Sequence, residues 1–286
     1  MCMIIDNMTL IKSINKKLYT NVYISKIKEM NEFCAVKQLN RDYYGESREI
    51  KRIIYQIKAL YEINHINILN YIDVKSTKKN YYIAMEYCNG GTLTECLKKY
   101  IEIYKHPFTE EIVQYLMKQI INGLDAAYDK KYLHDNLNLD KILVSFDSEE
   151  DKISLNMLKA TIKLKNFRPQ SPEVATNDEP LKSPIQILKN KWDLGVLCYE
   201  MIMGRNPYKK DIKDEEKNYS LPINISQEFI IFIGCMLKSD ASKRLSYKDL
   251  LEQNFLTKNI NQFNKIDIKS IPGVIEQKDG LVYIST

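Results

Sequence analysis

Residues 132–144 read Tyr132-Leu133-His134-Asp135-Asn136-Leu137-Asn138-Leu139-Asp140-Lys141-Ile142-Leu143-Val144, a polar loop running into a short apolar strand. Lys141 to Phe146 and Thr161 to Phe167 read as a strand pair, joined by the acidic loop Asp147-Ser148-Glu149-Glu150-Asp151. On both sides the chain is helical. Helices are expected over 92–100 and 109–128, the second started by Thr109-Glu110-Glu111, and again near 190–203, 226–238 and 247–253. Before the turn signal Asn89-Gly90-Gly91 the pattern changes to short runs of Ile, Val and Tyr, which predict strands near 9–14, 20–27, 33–39, 68–74 and 80–86. Ile50, Ile53, Ile54, Ile57, Leu60 and Ile63 recur at the three-and-four spacing of one buried helix face, placing a helix over 46–63. A strand-rich part therefore leads into a helical one, an α+β arrangement.

With 286 residues the chain can bury a full core, as one large domain or two lobes. Its 44% hydrophobic and 28% charged residues exclude a mainly disordered chain, and its longest strongly apolar run, Phe229 to Leu237, is too short to cross a bilayer. The net charge of +5 is spread along the chain, which reads as a solvated surface and not a nucleic-acid groove. The N-terminus Met1-Cys2-Met3-Ile4-Ile5-Asp6-Asn7 has no basic start followed by a long apolar core, so the expected location is the cytoplasm, away from membranes. Cys2, Cys34, Cys88, Cys96, Cys198 and Cys235 form no Cys-x-x-Cys pair, which points to reduced thiols without a metal.

Phe33-Cys34-Ala35-Val36-Lys37, His65-Ile66-Asn67-Ile68-Leu69, Ala84-Met85-Glu86-Tyr87-Cys88-Asn89-Gly90-Gly91-Thr92-Leu93, the 132–144 stretch, Trp192-Asp193-Leu194-Gly195-Val196, Ser242-Lys243-Arg244-Leu245 and Asn254-Phe255-Leu256 follow in the order of a protein kinase. The chain resembles the serine/threonine type of that superfamily, and Phe108 to Leu116 is similar to the autophagy-initiating group. The resemblance implies a bilobal kinase-like fold: a lead over 1–8, a domain over 9–256, and an extension over 257–286. The small lobe, 9–87, would hold a five-stranded antiparallel sheet and one helix; the larger, mainly helical lobe would span 92–256. In the extension, Pro272-Gly273 and Asp279-Gly280 suggest turns between short strands or an ordered flap.

Phosphoryl transfer needs phosphates and metal ions held in line with an oriented hydroxyl. Set on the family's motifs, the phosphate-covering glycines become Asn15, Lys17 and Thr20. Only glycine lets backbone N–H groups approach phosphates that closely. Lys37 keeps the strand lysine, but the helix glutamate that would fix it is Gln56, an uncharged acceptor. The catalytic aspartate position is Asn136, which cannot accept the substrate's proton, and Asn138 replaces a lysine. Lys141 stands at the position of the metal-binding asparagine, where its ammonium would repel Mg²⁺, and Asn166-Phe167-Arg168 removes the main carboxylate ligand of the metal. Asp135 replaces an arginine that would bind an activating phosphate, and the segment between Asn166 and Trp192 is shortened. There either Ser171-Pro172-Glu173 supplies a glutamate for Arg244, or Leu181-Lys182-Ser183-Pro184 aligns to the preceding stretch and that glutamate is deleted.

Apolar positions are kept. Val22, Ala35 and Leu143 match walls around adenine, Met85 the gatekeeper and Glu86 to Cys88 the hinge, so the cofactor-binding set by resemblance is Val22, Ala35, Lys37, Met85, Glu86, Cys88 and Leu143. Leu60, Tyr71, His134 and Phe167 match the column joining the lobes. The expectation is a catalytically inactive domain, a pseudokinase acting as scaffold or allosteric regulator of a protein partner, an active kinase or its substrate. No cofactor is required and no metal expected; weak ATP or ADP binding without Mg²⁺ is the residual capacity. The alternative is an active or weakly active ATP-dependent serine/threonine kinase with atypical motifs.

Overall fold

The structure is a computed structural model describing residues 8–27, 32–44, 50, 53, 57, 61–169, 183–207, 219–222, 224–265, 274–278 and 281–284. Strands β1 (Met8–Lys17), β2 (Thr20–Ile27), β3 (Glu32–Asn40), β4 (Tyr71–Ser76) and β5 (Asn80–Glu86) form an antiparallel sheet in the order β1-β2-β3-β5-β4. Alternation along β3 divides its side chains between two small cores. Cys34 and Val36 pack with Ile27 and Ala84, while Leu39 and Ile83 pack with Ile50 and Ile57 of the connecting helix. Ile50, Ile53 and Ile57 keep the predicted spacing, whereas Ile54 and Leu60 lie outside the described residues. The turn α1 (Arg41–Tyr44) follows β3.

The strand expected from residue 68 begins at Tyr71 instead. Asn67, Ile68 and Leu69 bond to the large lobe: Leu69 N–H donates to the Leu164 carbonyl (2.9 Å), and Leu164 N–H to the Asn67 carbonyl (2.8 Å). The backbone that would have lengthened β4 joins the two lobes.

In the large lobe β6 (Gly91–Thr92) precedes α2 (Leu93–Tyr104). Gly91 has φ +79°, a conformation that favours glycine, and it places Thr92 to cap α2 in a reciprocal box with Glu95. Next comes α3 (Glu110–Asp129), which buries Ile112, Val113, Leu116, Met117, Ile120 and Leu124 along one stripe. Strands β7 (Tyr132–His134), β8 (Ile142–Phe146), β9 (Ala160–Leu164) and β10 (Phe167–Pro169) lie around the loop. β8 pairs with β9, and β7 with β10. The acidic stretch read as a loop forms α4 (Glu149–Ile153), because Ser148 accepts from Asp151 N–H as its N-cap.

Helix α5 (Ser183–Met203) starts well before the expected residue 190. Its second residue is Pro184, whose missing N–H and fixed φ suit a first turn, so a residue that suggests a break opens the helix. Helix α6 (Gln227–Gly234) ends before the predicted 238; α7 (Tyr247–Leu251) fills most of the last expected helix, 247–253, and α8 (Asn254–Thr257) follows it. Close approach of α5 to the segment after α6 depends on Gly195: a Cβ there would lie 2.7 Å from Leu237 Cδ2.

The extension joins the large lobe. Strand β13 (Leu281–Ile284) lies between β11 (Tyr219–Pro222) and β12 (Val274–Lys278), with Val282 and Ile284 in the main core. Upstream, Glu228 of α6 accepts from Asn264 N–H (2.8 Å) and Asn264 Nδ2 (2.8 Å), and so ties down the start of this segment. The expectation of short strands holds for the described part of the extension.

Candidate functional site

The floor of the interlobe cleft follows from period two. Ile142, Val144, Ile162 and Leu164 are fully buried beneath β8 and β9, so Leu143, Lys163 and Lys165 occupy the opposite face. Leu143 pairs with Lys163 across the ladder. Lys163 Nζ reaches Glu86 Oε2 at 2.9 Å, while Glu86 Oε1 accepts from Asn70 N–H at 2.7 Å. The hinge carboxylate is thus held by a lobe-to-lobe ion pair.

The roof places Val22 opposite Lys37 and Ala35 opposite Met85. Ala35 and Cys88 are buried; Val22, Lys37, Met85, Glu86 and Leu143 are half-buried. Burial, with the Glu86 charge second, drives the Cys88 thiol up to about 12, so it stays protonated and is a poor nucleophile. Ladder pairs join Val22 to Lys37 and Ala35 to Met85, while Lys163 links Leu143, its partner in the β8–β9 ladder, to Glu86 and lies within electrostatic reach of Cys88. Asn15 and Thr20 sit in the β1–β2 ladder, Lys17 pairs with Thr20, and Leu18-Tyr19 make a two-residue turn. Tyr19 stacks on Tyr43 of α1 at 3.6 Å, and its carbonyl accepts from Asn40 N–H at 3.0 Å. The hairpin tip is fastened back to the small lobe.

In the 132–144 loop, Asn136 is exposed with φ +67°. Asn138 Nδ2 donates to the Asn136 carbonyl (3.2 Å), and its Oδ1 accepts from Asp140 N–H (3.1 Å), capping the short turn Leu139–Lys141. Asp135 N–H donates to the Asn166 carbonyl (2.8 Å), and Asn166 has φ +74°. Asparagine and aspartate share an unusual tolerance of that region. The two amides therefore preserve a backbone shape suited to aspartate while deleting its charge.

Above this loop His134 is fully buried and meets the Phe167 ring edge-on at 5.2 Å, with Phe167 also fully buried. Tyr71 packs against both the small-lobe core and the large-lobe core that contains Phe167; Leu60 lies outside the described residues. Gln56 and Ser171 to Glu173 lie outside them too. Arg244 donates to the carbonyls of Leu188 (2.7 Å) and Lys238 (2.8 Å) and covers the Trp192 ring at 4.8 Å.

A protein kinase domain model matches residues 16–256. The chain belongs to the protein kinase family. This kinase domain is 29% identical over 273 residues to serine/threonine-protein kinase atg1 of Dictyostelium discoideum, covering 89% of the chain and 40% of that protein. It is 26% identical over 297 residues to serine/threonine-protein kinase PLK4 of Danio rerio, covering 99% and 30%. With serine/threonine-protein kinase STE20 of Candida glabrata the figures are 26% over 253 residues, 82% and 26%. The chain thus spans two fifths or less of these relatives. The atg1 match agrees with the likeness read from Phe108 to Leu116, and the similar identities of the others place the assignment at the superfamily.

The residues of this kinase domain do not fit the family's metal. Lys141 puts an ammonium with no lone pair at one ligand position, and Asn166 puts a neutral amide where the family has its main carboxylate, so neither position brings the negative charge that holds Mg²⁺. Asp140, the nearest acidic neighbour in sequence, is exposed. The residue that motif comparison passed over is Lys165. Its signal lay in the alternation of Thr161-Ile162-Lys163-Leu164-Lys165, which sets both lysines on the cleft side. No described helix is long and apolar enough to cross a membrane.

Proposed function

We propose that this kinase domain is catalytically silent and acts as a scaffold or allosteric regulator, by binding a protein partner such as an active kinase or its substrate. The observation that carries the reading is Asn136. The side chain that should take the hydroxyl's proton is an amide, on an exposed left-handed residue whose carbonyl is held by Asn138. Positioned general bases contribute about 10²- to 10⁴-fold. The loss at Asn166 and the cation at Lys141 remove the metal from the same catalytic unit, so no single reversal restores the set. A buried column and an intact pair of lobes give a rigid body with surfaces to present, which is what a binding function uses. A cytoplasmic location accords with this role.

The test is phosphotransfer from labelled ATP with Mg²⁺ or Mn²⁺ to a generic protein substrate. Expected is incorporation no greater than in Lys37→Ala, and equally none in Asn136→Asp. Metal-dependent transfer abolished by Lys37→Ala would instead establish the active-kinase alternative.

A further inference from the structure

The small-lobe sheet ends on β1, and among the described residues no strand lies on its outer side. Residues 9–16 are exposed throughout, so both faces of the strand as well as its edge meet solvent. Leu10 and Ile11 are 49% and 54% exposed. Register against β2 shifts between Leu10 and Lys12 and again between Ser13 and Asn15, which leaves Ile11 and Ile14 without a partner across the ladder. The strand carries Lys12, Lys16 and Lys17 and no acidic residue, and neither Lys12 nor Lys16 makes an ion pair among the described residues.

An open row of backbone N–H and C=O groups is a template for another strand. A second copy of the chain fits it poorly. Two β1 strands side by side set three lysines against three with no carboxylate between them, and like charges across a ribbon are destabilising. Bulges and lysines are the devices by which sheet edges turn their own copies away. An anionic lipid surface matches the charge but leaves the backbone groups of the edge without hydrogen-bond partners. An extended segment rich in carboxylates meets every demand: its backbone pairs with the edge, its acidic side chains reach Lys12 and Lys16, and its apolar ones cover Leu10 and Ile11.

We propose that the outer edge of β1 is a docking site for a partner protein, which adds to the sheet an extended strand of alternating acidic and apolar residues. This deepens the scaffold reading and rests on it, since it names the surface through which a silent kinase domain holds its partner. Pairing of this kind needs neither nucleotide nor metal. β1 is joined to the sheet through β2 alone, so an added strand also steadies the member with the fewest neighbours.

Fluorescence anisotropy on the full chain tests this with two labelled decapeptides, one alternating glutamate with valine and the other lysine with valine. Expected are binding of the glutamate peptide that weakens with added salt, none of the lysine peptide, and slower amide exchange within residues 8–17 when the glutamate peptide is bound. The glutamate peptide N-methylated throughout its interior should bind about tenfold more weakly or worse, because strand pairing uses its N–H groups. The double variant Lys12→Glu, Lys16→Glu should weaken the glutamate peptide about tenfold and gain binding of the lysine peptide. Misfolding cannot mimic that exchange of preference. No binding of the glutamate peptide, equal binding of the lysine peptide, an undiminished N-methylated peptide, or an unchanged preference in the double variant overturns the proposal. So does a dimer in sedimentation equilibrium that the glutamate peptide dissociates, or displacement of that peptide by phosphatidylserine vesicles. None of these results bears on phosphotransfer, so the silent-kinase reading stands or fails by its own assay.

Discussion

Acid should unfold this domain through His134, and the size of the effect can be worked out in advance. The ring is fully buried against Phe167, and burial, opposed by a hydrogen bond with the Lys165 backbone and reinforced by the charges of Lys141, Lys189 and Lys165, lowers its pKa to about 3. In the unfolded chain a histidine titrates near 6.5. The folded value lies below the unfolded one, so the unfolded state takes up the proton first. Stability is complete above about pH 6.5 and is lost as pH falls toward 3, at about 1.4 kcal/mol per pH unit. Two units below the unfolded value the loss is about 2.7 kcal/mol, a large share of the ~5–15 kcal/mol available to a typical domain. Urea unfolding at about pH 7 and about pH 4.5, on the parent and on His134→Leu, measures it. Glu110 and Asp193, both raised mainly by burial, titrate in the two proteins alike and cancel in the difference. The parent should lose about 2–3 kcal/mol more than the variant between the two pH values. A difference that stays within ~0.5 kcal/mol would show that His134 takes up its proton without penalty and refute the burial argument.

Two further changes probe the packing. Gly195→Ala sets a methyl 2.7 Å from Leu237 Cδ2 and 2.9 Å from Met236 Cβ, and should lower stability by about 1–3 kcal/mol in denaturant titration, as overpacking does. Val282→Asp buries a carboxylate in the β13 core position and should unfold the large lobe. A milder Val282→Ala should cost about 1–2 kcal/mol, read from the urea midpoint.

Much of the fold was legible because its signals are local. β2 and β5 occupy the residues expected of them, and Thr109 caps α3 where the chain announced a helix. The misreadings also have local causes. Ser148 and Asp151, read as part of an acidic loop, are a capping pair, and the helix expected from residue 190 opens at Ser183-Pro184. The shift of β4 to Tyr71 is different in kind: residues 67–69 are claimed by Leu164, nearly a hundred positions away, and no window of sequence contains that contact. The site divides in the same manner. Residues standing at motif positions were found, including Lys37, Asn136, Lys141 and Asn166. Lys165 and the Glu86–Lys163 pair were missed, since their meaning arises from the cleft that surrounds them.

The position of β13 bears on the order in which the molecule is made. A ribosome delivers the small lobe, the 132–144 loop and all the helices before it releases the strand that must lie between β11 and β12. Until then β11 lacks the strand it pairs with among the described residues, and the apolar floor awaiting Val282 and Ile284 is open. The small lobe, whose partners are close in sequence, can mature early; the large lobe reaches its final form only as the last described residues emerge. For that interval the newborn chain offers a bare strand edge above an uncovered apolar surface, the kind of feature that holding chaperones bind.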